Sequence, residues 1–228
     1  MVILILDNKC FSTFLLLLPF LTFSQTNVSG QISSNTIWDV SGSPYIVTNN
    51  VLVNSGVILT IDPGVVVKFN SGTNLQIDGE LIAIGTENNR IKFTSNQINP
   101  SAGDWGGVKF TPSASDAVFD TDNNYLSGSI IKYSDILFGG ELYNGTGAGA
   151  VFIEGSHPYI ENNLIRESSS SGLYAVNLGS GTWYDQKIIF NHNLILNNNK
   201  TGIYLNVNNA GITLDVIIKN NTIINNNT

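Results

Sequence analysis

The rhythm of apolar and polar positions changes twice along this chain. Phe11 to Phe23 is one long apolar run. From Val51 to Ser95 the sequence reads "VLVNSGVILTIDPGVVVKFNSGTNLQIDGELIAIGTENNRIKFTS". Its short apolar stretches predict strands. The clusters between them, Asn54-Ser55-Gly56, Asp62-Pro63-Gly64, Asn70-Ser71-Gly72, Asp78-Gly79 and Glu87-Asn88-Asn89, predict turns. Period-two alternation shows inside the strands: Leu75 and Ile77 flank Gln76, and Leu81, Ala83 and Gly85 alternate with Ile82 and Ile84. Further on, asparagine dominates the polar positions. In "FNHNLILNNNKTGIYL" (190–205) the adjacent Leu194, Ile195 and Leu196 do not follow a helical period, and Asn197, Asn198 and Asn199 break any single flat strand.

The resolution lies in a repeat. "IENNLIRESSSSGLYA" (160–175) aligns without a gap on "FNHNLILNNNKTGIYL" (190–205), setting Ile160 on Phe190, Asn163 on Asn193, Ile165 on Ile195 and Gly172 on Gly202. "IKNNTIINNN" (218–227) continues it with Ile218, Asn221 and Ile223, and "IKYSDI" (131–136) is a weaker earlier copy with Ser134 in the Asn position. The steps from Asn163 to Asn193 and on to Asn221 set the interval, and a repeat of that length, built from brief strands, is too short for a propeller blade. It also lacks the Leu spacing of a leucine-rich repeat and the helix pairs of helical solenoids. It fits one coil of a parallel β-helix, whose coils stack at about 4.8 Å. The apolar template positions then point inward, and Asn163, Asn193 and Asn221 sit at inward bends as a hydrogen-bonded ladder. Asparagine also tolerates the left-handed backbone that a bend requires. In this reading the asparagines are corners, not ligands. The first half is expected to be the same solenoid with less regular coils.

Composition refines this picture. The chain has 228 residues, 42% apolar and 12% charged, which suits one sizeable or elongated core rather than disorder. Residues 1–25 read as a secretory signal peptide, with Lys9 closing a short n-region and small residues near Ser24; an uncleaved anchor is the alternative. The apolar run is too short to span a membrane. Cys10, the only cysteine, leaves with that segment, so residues 26–228 form a β-helix domain without disulfides or thiol chemistry. The same cleavage removes one acid, Asp7, and one base, Lys9, so the net charge stays at −7. An acidic chain without basic clusters argues against nucleic acid or anionic membrane as a partner.

"GVILTIDPGVVVKF", "LQIDGELIAIGTENNRIKFTS" and "GDWGGVKF" (103–110) resemble the N-terminal coils of secreted bacterial right-handed parallel β-helix proteins. The later copies resemble the generic parallel β-helix repeat of pectate lyase-like proteins, and the resemblance runs from about Trp38 onward. The fold it implies is all-β, a right-handed parallel β-helix. The third copy stops before its Gly, leaving an open strand edge, so further C-terminal coils of a longer chain are expected as its partner; a short chain that pairs end to end is the alternative.

Enzymes on this fold use carboxylates, often Ca²⁺, and an Arg or Lys base. Of the polygalacturonase pattern only Arg-x-Lys occurs, as Arg90-Ile91-Lys92, with Ile91 expected inward and both cations outward. The Trp-x-Asp-His of pectate lyase is absent. Asp135-Ile136-Leu137-Phe138-Gly139 resembles the pectin methylesterase nucleophile segment but lacks that enzyme's Arg-Pro-Trp. No catalytic residue is assigned. Asp120, Asp122 and Asn124 alternate like the start of a Ca²⁺ loop, without its Gly and closing Glu, so a solvated loop is the default and Ca²⁺ the alternative; no other cofactor is implied. Tyr174 and Tyr204 occupy equivalent outward positions and, with Trp183 and Tyr184, form a candidate platform for sugar rings or a purely stiffening stack. His157 precedes Pro158 in a turn and His192 lies outward beside Asn193; the sequence places no carboxylate beside either. The expectation is a secreted or cell-surface, non-catalytic module contacting polysaccharide or cell-surface glycan. The alternative is a polysaccharide lyase or glycoside hydrolase of the pectate lyase-like group.

Overall fold

A computed structural model of the chain describes residues 25–140, 148–178, 186–207 and 214–227. The leader segment therefore lies outside the described residues. Turns fall every few residues from Thr26 on, and the described residues wind through seven coils. The first holds β1 (Thr26–Ile32) and β2 (Thr36–Trp38), the second β3 (Tyr45–Val53) and β4 (Ile58–Ile61). The third holds β5 (Val66–Phe69), β6 (Asn74–Ile77) and β7 (Glu80–Ile84). In the fourth, β8 (Ile91–Ser95) and β9 (Gly107–Phe110) precede a lateral hairpin, β10 (Val118–Phe119) and β11 (Tyr125–Ser127), before β12 (Ile130–Lys132). The fifth holds β13 (Ser134–Leu137), β14 (Gly149–Glu154) and β15 (Tyr159–Glu161); the sixth β16 (Leu164–Arg166), β17 (Ser171–Leu178) and β18 (Gln186–Asn191). The seventh holds β19 (Leu194–Leu196), β20 (Ile203–Val207) and β21 (Leu214–Lys219), and β22 (Thr222–Ile224) begins another turn.

These strands build three faces, parallel throughout. Face A runs from the Tyr45–Val47 half of β3 through β5, β8, β13, β16 and β19 to β22. Face B runs from the Val51–Val53 half of β3 through β6, β9, β14 and β17 to β20. Face C runs from β2 through β4, β7, β12, β15 and β18 to β21. Among the described residues the hairpin β10–β11 is the antiparallel pair. This is the expected parallel β-helix. No helix of the described residues is long and apolar enough to cross a membrane.

Like stacks on like inside. Val67, Phe93, Ile136, Ile165, Ile195 and Ile223 form one column beneath face A. Ala83, Ile131, Ile160, Phe190 and Ile218 form another beneath face C. Fully buried side chains of this size each contribute about 1.5–3 kcal/mol. Trp105 stacks on Phe69 at 3.9 Å and donates its indole N–H to the Leu137 carbonyl at 2.8 Å.

The corners differ between the two halves. Early turns use glycine in the left-handed region, as at Gly56, Gly64 and Gly72. Later corners use a non-glycine residue there: Tyr133, Asn162, His192 and Asn220 at one corner, Phe138, Glu167, Asn197 and Asn225 at the next. This corrects the expectation that the ladder asparagines themselves adopt that backbone. The left-handed residue is the one before, and its turn swings the following side chain inward. There the Asn193 Oδ1 accepts both the backbone N–H of Asn163 at 3.0 Å and its Nδ2 at 3.1 Å. The Asn221 Oδ1 accepts the same pair from Asn193, each at 2.9 Å, and the Asn163 Oδ1 accepts the Ser134 N–H at 2.8 Å. A second column at the next corner has the same wiring, from Ser168 through Asn198 to Asn226. The template glycine has a steric reason: a Cβ on Gly172 would lie 2.6 Å from Ile195 Cγ2 and 3.0 Å from Asn198 Nδ2.

On the outside of face C, Lys132, Glu161, Asn191 and Asn220 form a polar string. Burial pushes the Glu161 carboxyl up, but Lys132 at 2.6 Å, with Tyr159 and Asn191, outweighs it and holds the carboxyl below its ordinary value. Tyr159, next to it, is raised above the usual phenol range, first by burial and then by Glu161.

Two outcomes follow. Asn193→Leu strands the two Asn163 donors and the Ile160 carbonyl, and should lower unfolding stability by at least about 3 kcal/mol in urea titration, since each unsatisfied buried group costs about 1–3 kcal/mol. Because the Glu161 pKa is depressed, its contribution is present above the ordinary carboxyl value of 4.5 and is lost as pH falls through the folded-state value. The wild-type urea midpoint should therefore drop more steeply on acidification than that of Glu161→Gln.

Candidate functional site

Face B presents one outward column, Gln76, Lys109, Phe152, Tyr174 and Tyr204, aligned by strand register. Phe152 and Tyr174 stack at 5.6 Å and 13°, Tyr174 and Tyr204 at 4.6 Å and 8°. Lys109 Nζ lies 5.3 Å from the Phe152 ring centre and 3.5 Å from a Glu154 carboxylate oxygen. Parallel rings that follow one another up the helix cover each other's faces. Their edges and hydroxyls meet solvent instead, and Tyr204, 38% exposed, is stacked on one side alone among the described residues. Burial raises the Tyr174 hydroxyl pKa, with the neighbouring Tyr204 adding to it. Trp183 and Tyr184, expected beside this column, lie outside the described residues. Phe152 is the member that sequence spacing missed, because the interval from Phe152 to Tyr174 is shorter than that from Tyr174 to Tyr204.

The acidic segment is the lateral hairpin. Asp120 caps its own turn: Oδ1 accepts the N–H groups of Asp122 at 2.9 Å and Asn124 at 2.8 Å, and Oδ2 accepts the Asn124 Nδ2 at 2.9 Å. These bonds, the Asn124 side chain first, hold the Asp120 carboxyl below the ordinary carboxylate range. Asp120 and Asn124 therefore face each other within the turn rather than a shared cavity. Among the described residues no group of three or more His, Cys, Asp and Glu side chains converges to hold a metal. The hairpin lies on face C, where Phe119 and Tyr125 pack edge-on and stacked against Tyr159. Lys187 Nζ reaches across to Asn123 Oδ1 at 2.6 Å. Burial, then the charge of Glu80, raises the Tyr125 pKa to about 12.

The fold does bring a carboxylate to His157, contrary to the sequence reading. Asp116, at the base of the hairpin, accepts the His157 backbone N–H at 2.7 Å and sets Oδ2 3.2 Å from Nδ1. That approach is off the hydrogen-bond direction, so neither ring nitrogen has a hydrogen-bond partner, and the imidazole is 2% exposed. The neighbouring Ser156 hydroxyl is buried and unpartnered as well. The signal for this contact is a pairing across the inserted hairpin, from Asp116 to His157, which no local spacing encodes. His192 is exposed at the left-handed corner position. Arg90 binds the Asp135 carboxylate and donates to the Ser134 carbonyl at 2.8 Å, so one arm of the Arg-x-Lys match and the methylesterase-like aspartate neutralise each other; Ile91 is fully buried. Asn163, Asn193 and Asn221 are brought together in the column already described.

Among curated proteins the chain is 42% identical over 72 residues to protein bark beetle of Drosophila melanogaster. That stretch covers 31% of this chain and 2% of the fly protein. No solved structure matches the chain. Residues 30–146, half of the chain, match the pectate-lyase-like β-helix domain family. The match covers coils whose three parallel faces and stacked interior are those of a β-helix, and the chain belongs to the pectate-lyase-like β-helix family.

Proposed function

We propose that the chain is a non-catalytic β-helix scaffold working outside the cell, whose face B column contacts glycan. One observation carries the first part: among the described residues the side chains closest to the catalytic patterns of this fold, and the acidic turn and buried imidazole, are turned on one another or covered. Arg90 pairs with Asp135, Glu161 with Lys132, Asp120 with its own turn, and His157 is buried. Sugar-cleaving chemistry on such a surface needs an acid and a base or nucleophile facing the same bond. An extracellular setting agrees with the leader-like segment 1–25 and with a polar surface rich in Asn, Ser and Thr rather than charge.

The glycan part rests on the outward ring column of face B, whose hydroxyl edges at Tyr174 and Tyr204 meet solvent, with Tyr204 38% exposed. An aromatic contact of this kind contributes about 0.5–1.5 kcal/mol, which sets the scale of the expected effect.

Two measurements test the proposal. Incubation of the purified protein with uronic-acid polymers should produce no absorbance from unsaturated product; sustained turnover would establish the lyase alternative. On a glycan array, Tyr204→Ala should weaken retained ligands by about tenfold, while Phe152→Ala, inside the stack, should leave them in place and lower thermal stability. Equal binding by wild type and Tyr204→Ala would remove the glycan role.

A further inference from the structure

We infer that Tyr174 and Tyr204 form an oxidative cross-linking site, at which a one-electron oxidant of the peroxidase class joins the two rings and staples β17 to β20. The inference is independent of the glycan reading. Strand register sets the two residues opposite each other on the outside of face B, with ring centres 4.6 Å apart and planes 8° from parallel. The strands run parallel, so both hydroxyl ends leave the face together and the Cε carbons of one ring lie alongside those of the other.

The phenol itself dictates the chemistry. Each ring gives one electron to the oxidant and its O–H proton to water, leaving a radical shared between the oxygen and the Cε carbons beside it. Two such radicals couple through a Cε–Cε bond. The hydrogens on the bonded carbons then pass to the two oxygens, which restores both hydroxyls and both aromatic rings. Over the whole step two electrons and two protons leave the tyrosines, and one hydrogen peroxide is reduced to two waters. Separate radicals must diffuse to meet, whereas the register holds this pair in contact, so coupling within the chain is strongly favoured.

The rest of the molecule directs the oxidant to this pair. Residues 26–228 contain no cysteine and no methionine, the side chains that most readily divert an oxidant; Met1 and Cys10 both lie earlier. Trp38, Trp105, Tyr45 and Tyr159 are buried. Tyr125 also stacks on Tyr159, but at 6.1 Å and 22°, and its hydroxyl is donated to the Gly128 carbonyl at 2.6 Å. The same stretch can form no disulfide, and a carbon–carbon bond between neighbouring coils restricts the unfolded chain in the way a disulfide does.

The test treats the purified protein, at high dilution, with a plant peroxidase and hydrogen peroxide. The monomer should gain dityrosine fluorescence, and trypsin should release residues 167–187 joined to residues 201–219, lighter than their sum by two hydrogen atoms. Tyr174→Phe and Tyr204→Phe should each lower the monomer signal at least about tenfold, the scale on which proximity separates a held pair from chance encounters. Phenylalanine keeps the stacked ring, so this loss reports the missing phenol rather than unfolding. Tyr184→Phe, which alters the other tyrosine of the first fragment, should leave the signal in place. Absence of coupling, or signal confined to dimers, would overturn the inference. So would retention of the signal in either Tyr174→Phe or Tyr204→Phe, its loss in Tyr184→Phe, or joined fragments that map to Tyr125 and Tyr159.

Discussion

Everything in this molecule depends on the hydrogen-bonded register that sets each coil directly upon the one before, about 4.8 Å away. At that spacing a side chain's nearest neighbours are its own counterparts, so the only stable choices are residues that tolerate themselves. Isoleucine over phenylalanine over isoleucine satisfies this by packing. Asparagine satisfies it by carrying a donor and an acceptor on one short side chain, so that a column of amides is self-complementary where a column of carboxylates would repel. The low charge of the chain follows from the same constraint.

The constraint also shapes the chemistry available outside. Lys132 lies over Glu161, Arg90 against Asp135 and Tyr174 beneath Tyr204, each engaged by the rung next to it. A reactive cluster on such a lattice has to be built where the lattice is interrupted. One such interruption is the insertion between Phe110 and Ser129, and there Asp120 closes upon its own turn while Asp116 and Asn123 are taken up by His157 and Lys187 of the coils that follow. The family to which the chain belongs therefore supplies its architecture, while the proposal of contact rather than turnover rests on the particular residues on its faces.

The inward columns were legible because their members move together: Asn163, Asn193 and Asn221 recur with Ile165, Ile195 and Ile223 at a fixed offset, in steps of 30 and then 28 residues, and the structure sets these isoleucines in one register. The column through Ser168, Asn198 and Asn226 recurs at the same interval, yet "LNNNK" reads as a break because three adjacent asparagines hide which one points inward. Backbone hand decides it: Asn197 takes the left-handed turn and delivers Asn198 to the interior. The face of the tyrosine rings was not legible at all, since spacing fixes that Tyr174 meets Tyr204 but not that they meet broadside. Contacts made by insertions, such as Asp116 with His157, have no period to betray them.

The hairpin laid over face C has a mechanical meaning. A stack in which every layer touches only its neighbours should fray from an end one layer at a time, in the manner of a one-dimensional zipper. Phe119 and Tyr125 bear on Tyr159, and Asn123 holds Lys187, so a loop rooted in the fourth coil grips the fifth and sixth. Those three layers cannot peel separately without releasing the strap. It thereby acts as a crack stopper, binding the fourth, fifth and sixth coils into one cooperative block.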